Sequence, residues 1–401
     1  MNGTIRVGIC GFGERISHVA LAFLKNDQRF EIVGYFDPAQ RPNGAAIFSD
    51  ARVDAGKSFP TLEAMLDDAG LDLLMIGSPN DQHLGHIRTG LEFGVKVFSE
   101  KPLVTTEADT FELLNLLYLH GRDSVMVGLV LRYSPLFRDF RRLQSEGVLG
   151  DVVSLEGSEN LGLAHGAFLM RDWRRHESAS GGYLLEKCCH DLDLYQGIMG
   201  ARPRLVSSFG GRKVYVPENS TLENLPAYHD WHGNWDRSLS AFAGDGDIVD
   251  FQSAMIQYEN GAALAFSSNI HAANKTRRIC AMGINGMIEG DFERNYLVAY
   301  DAPSGKEVFR TSYEFDSSDG HYGAEQLMVA DIAAHLFDGA ALPVTAVDAL
   351  EAGLTAIKLD EARNTGMVVD LTSSWRRFDA ALLGAASPQV TPTTRCDHTN
   401  R

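Results

Sequence analysis

At 401 residues, 44% apolar and 22% charged, the chain has the composition of a globular protein and exceeds what one ordinary core accommodates. A formal net charge of −17 argues against nucleic acid or an anionic membrane as a partner, since both need a basic face. No apolar run approaches the roughly 20 residues that cross a bilayer. The five cysteines, Cys10, Cys188, Cys189, Cys280 and Cys396, are odd in number and scattered, as expected of reduced thiols in a cytoplasmic protein.

The chain enters a strand-like run almost at once, with no signal-peptide pattern before it. Up to about residue 130, apolar runs at 5–10, 30–36, 71–77, 95–100 and 124–130 alternate with amphipathic stretches such as "PTLEAMLDDAG" and "ADTFELLNLLYLHG". That rhythm predicts βαβ units in a doubly wound parallel sheet, a Rossmann domain over 1–130. Beyond "RYSPLFRDFRRLQSEGVLG" the pattern changes. A helix is expected at 183–199, then strands joined by the turns "ENGA" and "INGM", then helices near 323–337 and 346–365. This reads as an α+β domain over 131–375 on one large, mostly antiparallel open sheet, serving substrate binding and oligomerisation. Residues 376–401 are expected to be a mobile tail.

"GICGFGERISH" follows the first strand and opens the first helix. Gly11 and Gly13 stand where a dinucleotide fold turns tightly and lets a pyrophosphate approach a helix N-terminus, with Phe12 between them. The third glycine position holds Ile16, and the expectation is that Gly8 or Gly34 makes room for it. Asp37 ends the second strand, placed to accept the ribose hydroxyls and to repel a 2′-phosphate, so NAD is expected rather than NADP. The third and fourth strands end in "GSPNDQH" and "SEKPL". Ligands gather at the carboxyl ends of parallel strands, so Ser78, Asn80, His83, Glu100 and Lys101 join the cofactor candidates.

"GFGERISH", "SPNDQH", "EKPL", "RYSP", "DWRRHESASGG", "EKCCHDLD" and "GHYGAEQ", in this order, resemble the glucose–fructose oxidoreductase, inositol dehydrogenase and MocA (Gfo/Idh/MocA) family. The resemblance covers about 370 residues of the 401. It implies a Rossmann domain plus an open-sheet domain, and NAD(P)-dependent oxidation or reduction of sugars, inositols and related polyols. It also implies that the lysine of E-K-P works with the Asp and His of a D-x-x-x-H motif. Here those positions are Lys101, Glu186 and His190, with Glu in place of Asp.

"GGYLLEKCCHDLDLY" could instead be read as a metal site. Adjacent helical residues point ~100° apart, so Cys188, Cys189 and His190 cannot converge, and no second cluster supplies further ligands. No metal is expected; the thiols read as core. Glu186, His190 and Asp193 share one stripe of the helix. His190 is the expected base, Lys101 the hydrogen-bond donor to the substrate oxygen, and Glu186 the residue that orients His190 or grips a hydroxyl. Arg132, Trp173, Arg174 and Asp193 are further substrate-binding candidates, and "HDWHGNWD" (229–236) is an aromatic loop that lines either the site or an oligomer contact.

The expected activity is NAD-dependent oxidation or reduction of a secondary alcohol on a sugar, glycoside or inositol-like polyol, by a dimer or tetramer assembled through the second sheet. Two alternatives stand beside it. One is a redox-neutral sugar-processing enzyme that holds NAD tightly and reduces it only transiently; the other is a nucleotide-bound sensor without catalysis.

Overall fold

The computed structural model describes residues 3–38, 57–229, 239–315 and 320–385. Its first half alternates strand and helix: β1 (Ile5–Cys10), α1 (Glu14–Asn26), β2 (Phe30–Phe36), α2 (Leu62–Ala69), β3 (Leu73–Ile76), α3 (His83–Glu92), β4 (Lys96–Ser99), α4 (Glu107–His120) and β5 (Val125–Val127). The five strands are all parallel, in the order β2-β1-β3-β4-β5. Every residue of β3 is buried, because helices cover both faces of such a sheet. Helices α2 and α4 begin where Thr61 and Thr106 accept backbone N–H groups two or three residues into the helix.

Ile16 is fully buried, but its space comes from neither expected glycine. A Cβ on Gly77 would lie 2.5 Å from the Cβ of Ile16, whereas Gly8 faces Leu71 and Met65, and Gly34 faces Phe59. The reason is topological. Helix α1 crosses over the end of β3, the neighbour of β1 in the sheet, so the bare backbone it needs is at Gly77.

The second half runs α5 (Pro135–Ser145), β6 (Val152–Asn160), α6 (Leu163–Leu169), α7 (Glu177–Ser180), α8 (Tyr183–Met199), β7 (Pro203–Gly211), β8 (Phe251–Tyr258), β9 (Ala263–Asn269), β10 (Thr276–Gly283), β11 (Gly286–Asp291), β12 (Tyr296–Asp301), β13 (Glu307–Ser312), α9 (Ala324–Asp338), α10 (Ala346–Thr365), β14 (Val369–Asp370) and α11 (Thr372–Leu382). The strands form one nine-stranded sheet, β13-β12-β11-β10-β6-β9-β8-β7-β14. Only β6 and β9 pair in parallel. Both expected hairpins are present, β8–β9 around "ENGA" and β10–β11 around "INGM". Along β8 burial alternates residue by residue: one face packs on helices and the other stays open.

Helix α11 runs past residue 376 to Leu382 and buries Trp375 and Phe378, and the Trp375 indole N–H bonds the Pro203 carbonyl at 2.6 Å. The stretch expected as a tail therefore starts as a packed helix. Residues 386–401, Cys396 among them, and residues 230–236 of the aromatic loop lie outside the described residues. No helix among the described residues is long and apolar enough to cross a membrane.

Candidate active site

Helix α8 occupies the junction of the two halves and is buried on nearly every side, Lys187 and Gly197 excepted. Glycines at both ends, Gly182 (φ +96°) and Gly200 (φ +60°), let the chain enter and leave it sharply. A charged residue inside such a helix must find a partner, since an uncompensated buried charge costs several kcal/mol. Asp191 takes a two-pronged ion pair from Arg277 at 2.9 and 2.7 Å. Asp193 takes the same from Arg132 at 2.8 Å on each oxygen. Arg132 and Asp193 neutralise each other, with Asp193 only 1% exposed, and the pair anchors α8 to the segment after β5.

Glu186 is where the two halves meet. Asn80, after β3, donates its side-chain amide to Glu186 Oε2 at 2.6 Å and to the Ser180 carbonyl at 3.0 Å. Lys101, after β4, donates Nζ to the Glu186 main-chain carbonyl and lies 3.8 Å from its Oε2. Arg174 approaches Oε1 at 3.4 Å, its guanidinium stacked between the rings of Phe168 and Trp173. One turn along the helix, His190 is 5% exposed, and its Nδ1 has no hydrogen-bond partner among the described residues. Burial, with Lys101, Arg277, Lys187 and His321 nearby, pushes the His190 imidazole well below its ordinary pKa. It is neutral near pH 7, the form that accepts a proton.

Two of the expected cofactor residues also have partners within the protein. His83 is 1% exposed, and its ring nitrogens lie 2.7 Å from the Pro102 carbonyl and 2.8 Å from that of Ser78. It sits between the loop after β3 and the loop after β4, and its one N–H can bond either carbonyl. The Asn80 amide N–H groups go to Glu186 and Ser180 of the second half. The Arg174 guanidinium lies 4.2 Å from the Trp173 ring centroid.

The other first-half residues fit a dinucleotide. Gly11 (φ +72°) must be glycine, because a Cβ there would lie 2.4 Å from the Ser78 nitrogen. Gly13 is the N-cap of α1, and the nearest atom to a Cβ on it would be 3.8 Å away, leaving open space at the helix N-terminus. Asp37 Oδ2 accepts the Phe12 N–H at 2.8 Å, which fixes the carboxylate beside the glycine loop. The Phe12 ring itself is core, against Tyr35. Ser78 Oγ lies 3.0 Å from His86 Nδ1. Glu100 meets Arg15 at 3.2 Å and the Lys101 N–H at 3.4 Å.

Cys188 and Cys189 are buried, and burial raises both thiols, Cys189 to about 12. Cys188 donates to Ser268 Oγ at 3.3 Å. Among the described residues no group of three His, Cys, Asp or Glu side chains is placed to hold a metal ion.

Sequence reasoning passed over His321. Its ring centroid is 6.5 Å from that of His190, and its Nδ1 is 2.7 Å from Glu325 Oε1. Arg15, in the first turn of α1, pairs with both Glu325 and Glu100. The available signal was the i, i+4 spacing of His321 and Glu325 within "GHYGAEQ".

A dinucleotide fold whose strand-end loops reach a helix carrying carboxylate and imidazole is that of a nicotinamide-dependent oxidoreductase. Residues 5–129 match the model of the oxidoreductase family, NAD-binding Rossmann fold, and residues 141–371 match its C-terminal alpha/beta domain. The chain belongs to the Gfo/Idh/MocA family, and its first domain is an NAD-binding Rossmann domain. It is 27% identical over 212 residues to the 2,7-anhydro-N-acetylneuraminate hydratase of Mediterraneibacter gnavus, covering 53% of each chain. To the inositol 2-dehydrogenase of Acidothermus cellulolyticus it is 24% identical over 212 residues, 52% of this chain and 58% of the relative. The matched stretches thus span little more than half of these relatives. A levoglucosan dehydrogenase solved with NADH and levoglucosan shares the fold, with a TM-score of 0.73 over 92% of this chain and 100% of that one at 17% identity.

Proposed function

We propose that the chain oxidises or reduces a secondary alcohol on a sugar, glycoside or inositol-like polyol, with NAD rather than NADP. The observation that carries this reading is the convergence of Lys101, Glu186 and a neutral, buried His190 beside the strand ends of an NAD-binding domain. When bound, NAD supplies the hydride acceptor. His190 takes the hydroxyl proton as the C–H bond breaks. Lys101 donates to the substrate oxygen and stabilises the negative charge that gathers there. Glu186, gripped by Asn80 and Arg174, fixes the Lys101 ammonium against the helix and offers an acceptor to a neighbouring substrate hydroxyl. Asp37 holds the ribose diol and disfavours a 2′-phosphate.

A redox-neutral reaction is the second reading, favoured by the hydratase relative. The open face of the second sheet, with Phe209 72% and Met255 53% exposed, supports assembly into a dimer or tetramer. The test is a panel of polyols and sugars with NAD or NADP, following NADH absorbance. Stoichiometric NADH with at least one polyol supports net oxidation. Conversion of a sugar without accumulated NADH supports the redox-neutral reading.

A further inference from the structure

The cations around α8 are not all engaged alike. Arg132 and Arg277 each give two hydrogen bonds to one carboxylate, and Lys101 donates to a main-chain carbonyl. Lys187 makes no hydrogen bond among the described residues, and its one ion pair there, to Glu159, is loose, with Nζ 3.5 Å from Oε1. Glu159 is moreover shared. It stands opposite Arg277 in the pairing of β6 with β10, and Arg277 Nε comes closer, 3.1 Å from Oε2. An ammonium carries three N–H donors, and burying it with none of them engaged is unfavourable. Burial accordingly lowers the Lys187 ammonium from its ordinary value, with Glu159 opposing that shift.

Lys187 is also the one charged residue of α8 that is not fully buried; 15% of its side chain is exposed. At ~100° per residue, His190 lies about 40° from Glu186 around the helix, and Lys187 about 60° beyond His190. The expected base is therefore flanked by a carboxylate on one side and by a loosely held ammonium on the other. The potential between them is positive. After burial itself, the groups that weigh most on His190 are Lys101, Arg277, Lys187 and His321. On His165 of α6 they are Lys187, Lys275, Lys101 and Arg277, and both imidazoles stand well below their ordinary range. In a chain of net charge −17 such a cationic cleft runs against the background, and a cleft of one sign gathers ligands of the other.

We propose that Lys187 binds a carboxylate of the substrate, so that the alcohol oxidised or reduced here belongs to a sugar acid. The inference rests on the reading of Lys101 and His190 above and deepens it. The carboxylate takes N–H donors of Lys187 that the protein leaves unused, on the side of His190 away from Glu186. Its other neighbour is Glu159. Burial outweighs Arg277 and pushes that carboxyl up, so it yields its charge readily to an arriving anion. A monoanion suits this balance better than a phosphate dianion, because a single ammonium is what stands without hydrogen bonds beside a carboxyl group.

The experiment gives the full chain and NAD matched pairs, D-glucuronate with D-glucose and D-galacturonate with D-galactose, and D-glucose 6-phosphate as a dianion. Turnover is followed by NADH absorbance and by NMR of the sugar, and binding by isothermal titration calorimetry. The wild type should favour each acid over its neutral partner by roughly 10–100-fold in kcat/KM, the worth of one charge-assisted hydrogen bond, carried mainly by KM. Lys187→Met should bring that ratio to within about threefold of one, and Lys187→Arg should keep most of it. Glu159→Gln should tighten acid binding, whereas loss of a merely structural ion pair would weaken it or leave it unmoved. This variant and Lys187→Arg decide the matter if Lys187→Met does not fold. Neutral sugars handled as well as their acids, or a preference undiminished in Lys187→Met, overturns this inference and leaves the dehydrogenase reading standing. Preference for the phosphate over both acids overturns the carboxylate assignment. Acid that binds through Lys187 without any turnover supports the inference and counts against the dehydrogenase reading. Failure of every acid to bind at millimolar concentration overturns it.

Discussion

The two sheets of this molecule solve opposite problems. The five-stranded sheet is covered on both faces, its strands are mostly apolar and buried, and its candidate site residues lie in the loops at its carboxyl edge. The nine-stranded sheet alternates buried and exposed residues, covers one face with α8 and α10, and leaves the other open. The first can place chemistry only at strand ends; the second places it on the helix lying across its covered face. The site exists because Lys101 and Asn80, at the ends of β4 and β3, reach across to one residue of that helix, Glu186.

If the division holds, perturbing the helix should change the chemical step and perturbing the glycine loop should change nucleotide affinity. The largest effect is expected at His190. His190→Ala should lower kcat by roughly 10²–10⁴ with NAD affinity within about twofold, measured by steady-state kinetics and by titration of NADH fluorescence. Lys101→Ala should lose a similar factor, and the double variant less than the product, because both groups act on one departing proton. A His190 variant that loses nucleotide binding instead would erase the distinction between the two halves.

Asp37→Ala tests the other side. It should narrow the preference for NAD over NADP by about 1–3 kcal/mol in binding titrations and leave the NAD-saturated kcat within about threefold. Wild-type protein that binds both equally would remove Asp37 from its assigned role.

A smaller effect is expected where α1 meets β3. Gly77→Ala should cost about 1–3 kcal/mol in denaturant unfolding, because Ile16 already fills the space, and Ile16→Ala in the same chain should recover most of it. Full additivity of the two losses would show that the contact is not the cause. The smallest catalytic effect should come from the thiols. Replacing Cys188 and Cys189 together by alanine should cost about 1–2 kcal/mol of stability with kcat largely kept, and chelators should not inhibit.

Acid should act on both halves through buried imidazoles. His190, His321 and His83 are all lowered by burial, so between their folded pKa values and ~6.5 the unfolded chain binds more protons than the native one. Stability therefore falls as pH drops below ~6.5, by up to about 1.4 kcal/mol per pH unit for each such residue. Melting temperatures measured from pH 7 to pH 5 should decline, and a flat profile would contradict neutral burial.

The same contrast governs what could be read without coordinates. Strands β1 and β2 match their apolar runs end for end, since largely buried strands read as short, mostly apolar runs. Helix α8 was also visible at its full length, between two glycines. Strands β6 and β7 were not, because half of each faces outward and "VVSLEGSEN" reads as polar. Within the site, Lys101, Glu186 and His190 were legible from spacing and resemblance. The partnerships were not: nothing in the order of residues tells that Arg132 belongs to Asp193, that His83 spans two carbonyls, or that Ile16 rests on Gly77. Those facts depend on which segments the topology brings together, and local pattern does not encode that.

Helix α8 is fastened separately to nearly every layer around it: through Glu186 to the loops after β3 and β4, through Asp191 to β10, through Asp193 to the segment after β5, and through Gln196 to Glu351 on α10. Such a segment has no private way to open. Its amide hydrogens can reach solvent only when all four attachments fail together, which amounts to unfolding the whole chain. In deuterated water the amides of 187–196 should accordingly be among the last to exchange, at the rate set by global stability, while those of the outer hairpin β12–β13 trade within a small fraction of that time. The reacting groups would then sit on the part of the molecule that changes least with time, and any motion that admits a substrate must come from the loops around them.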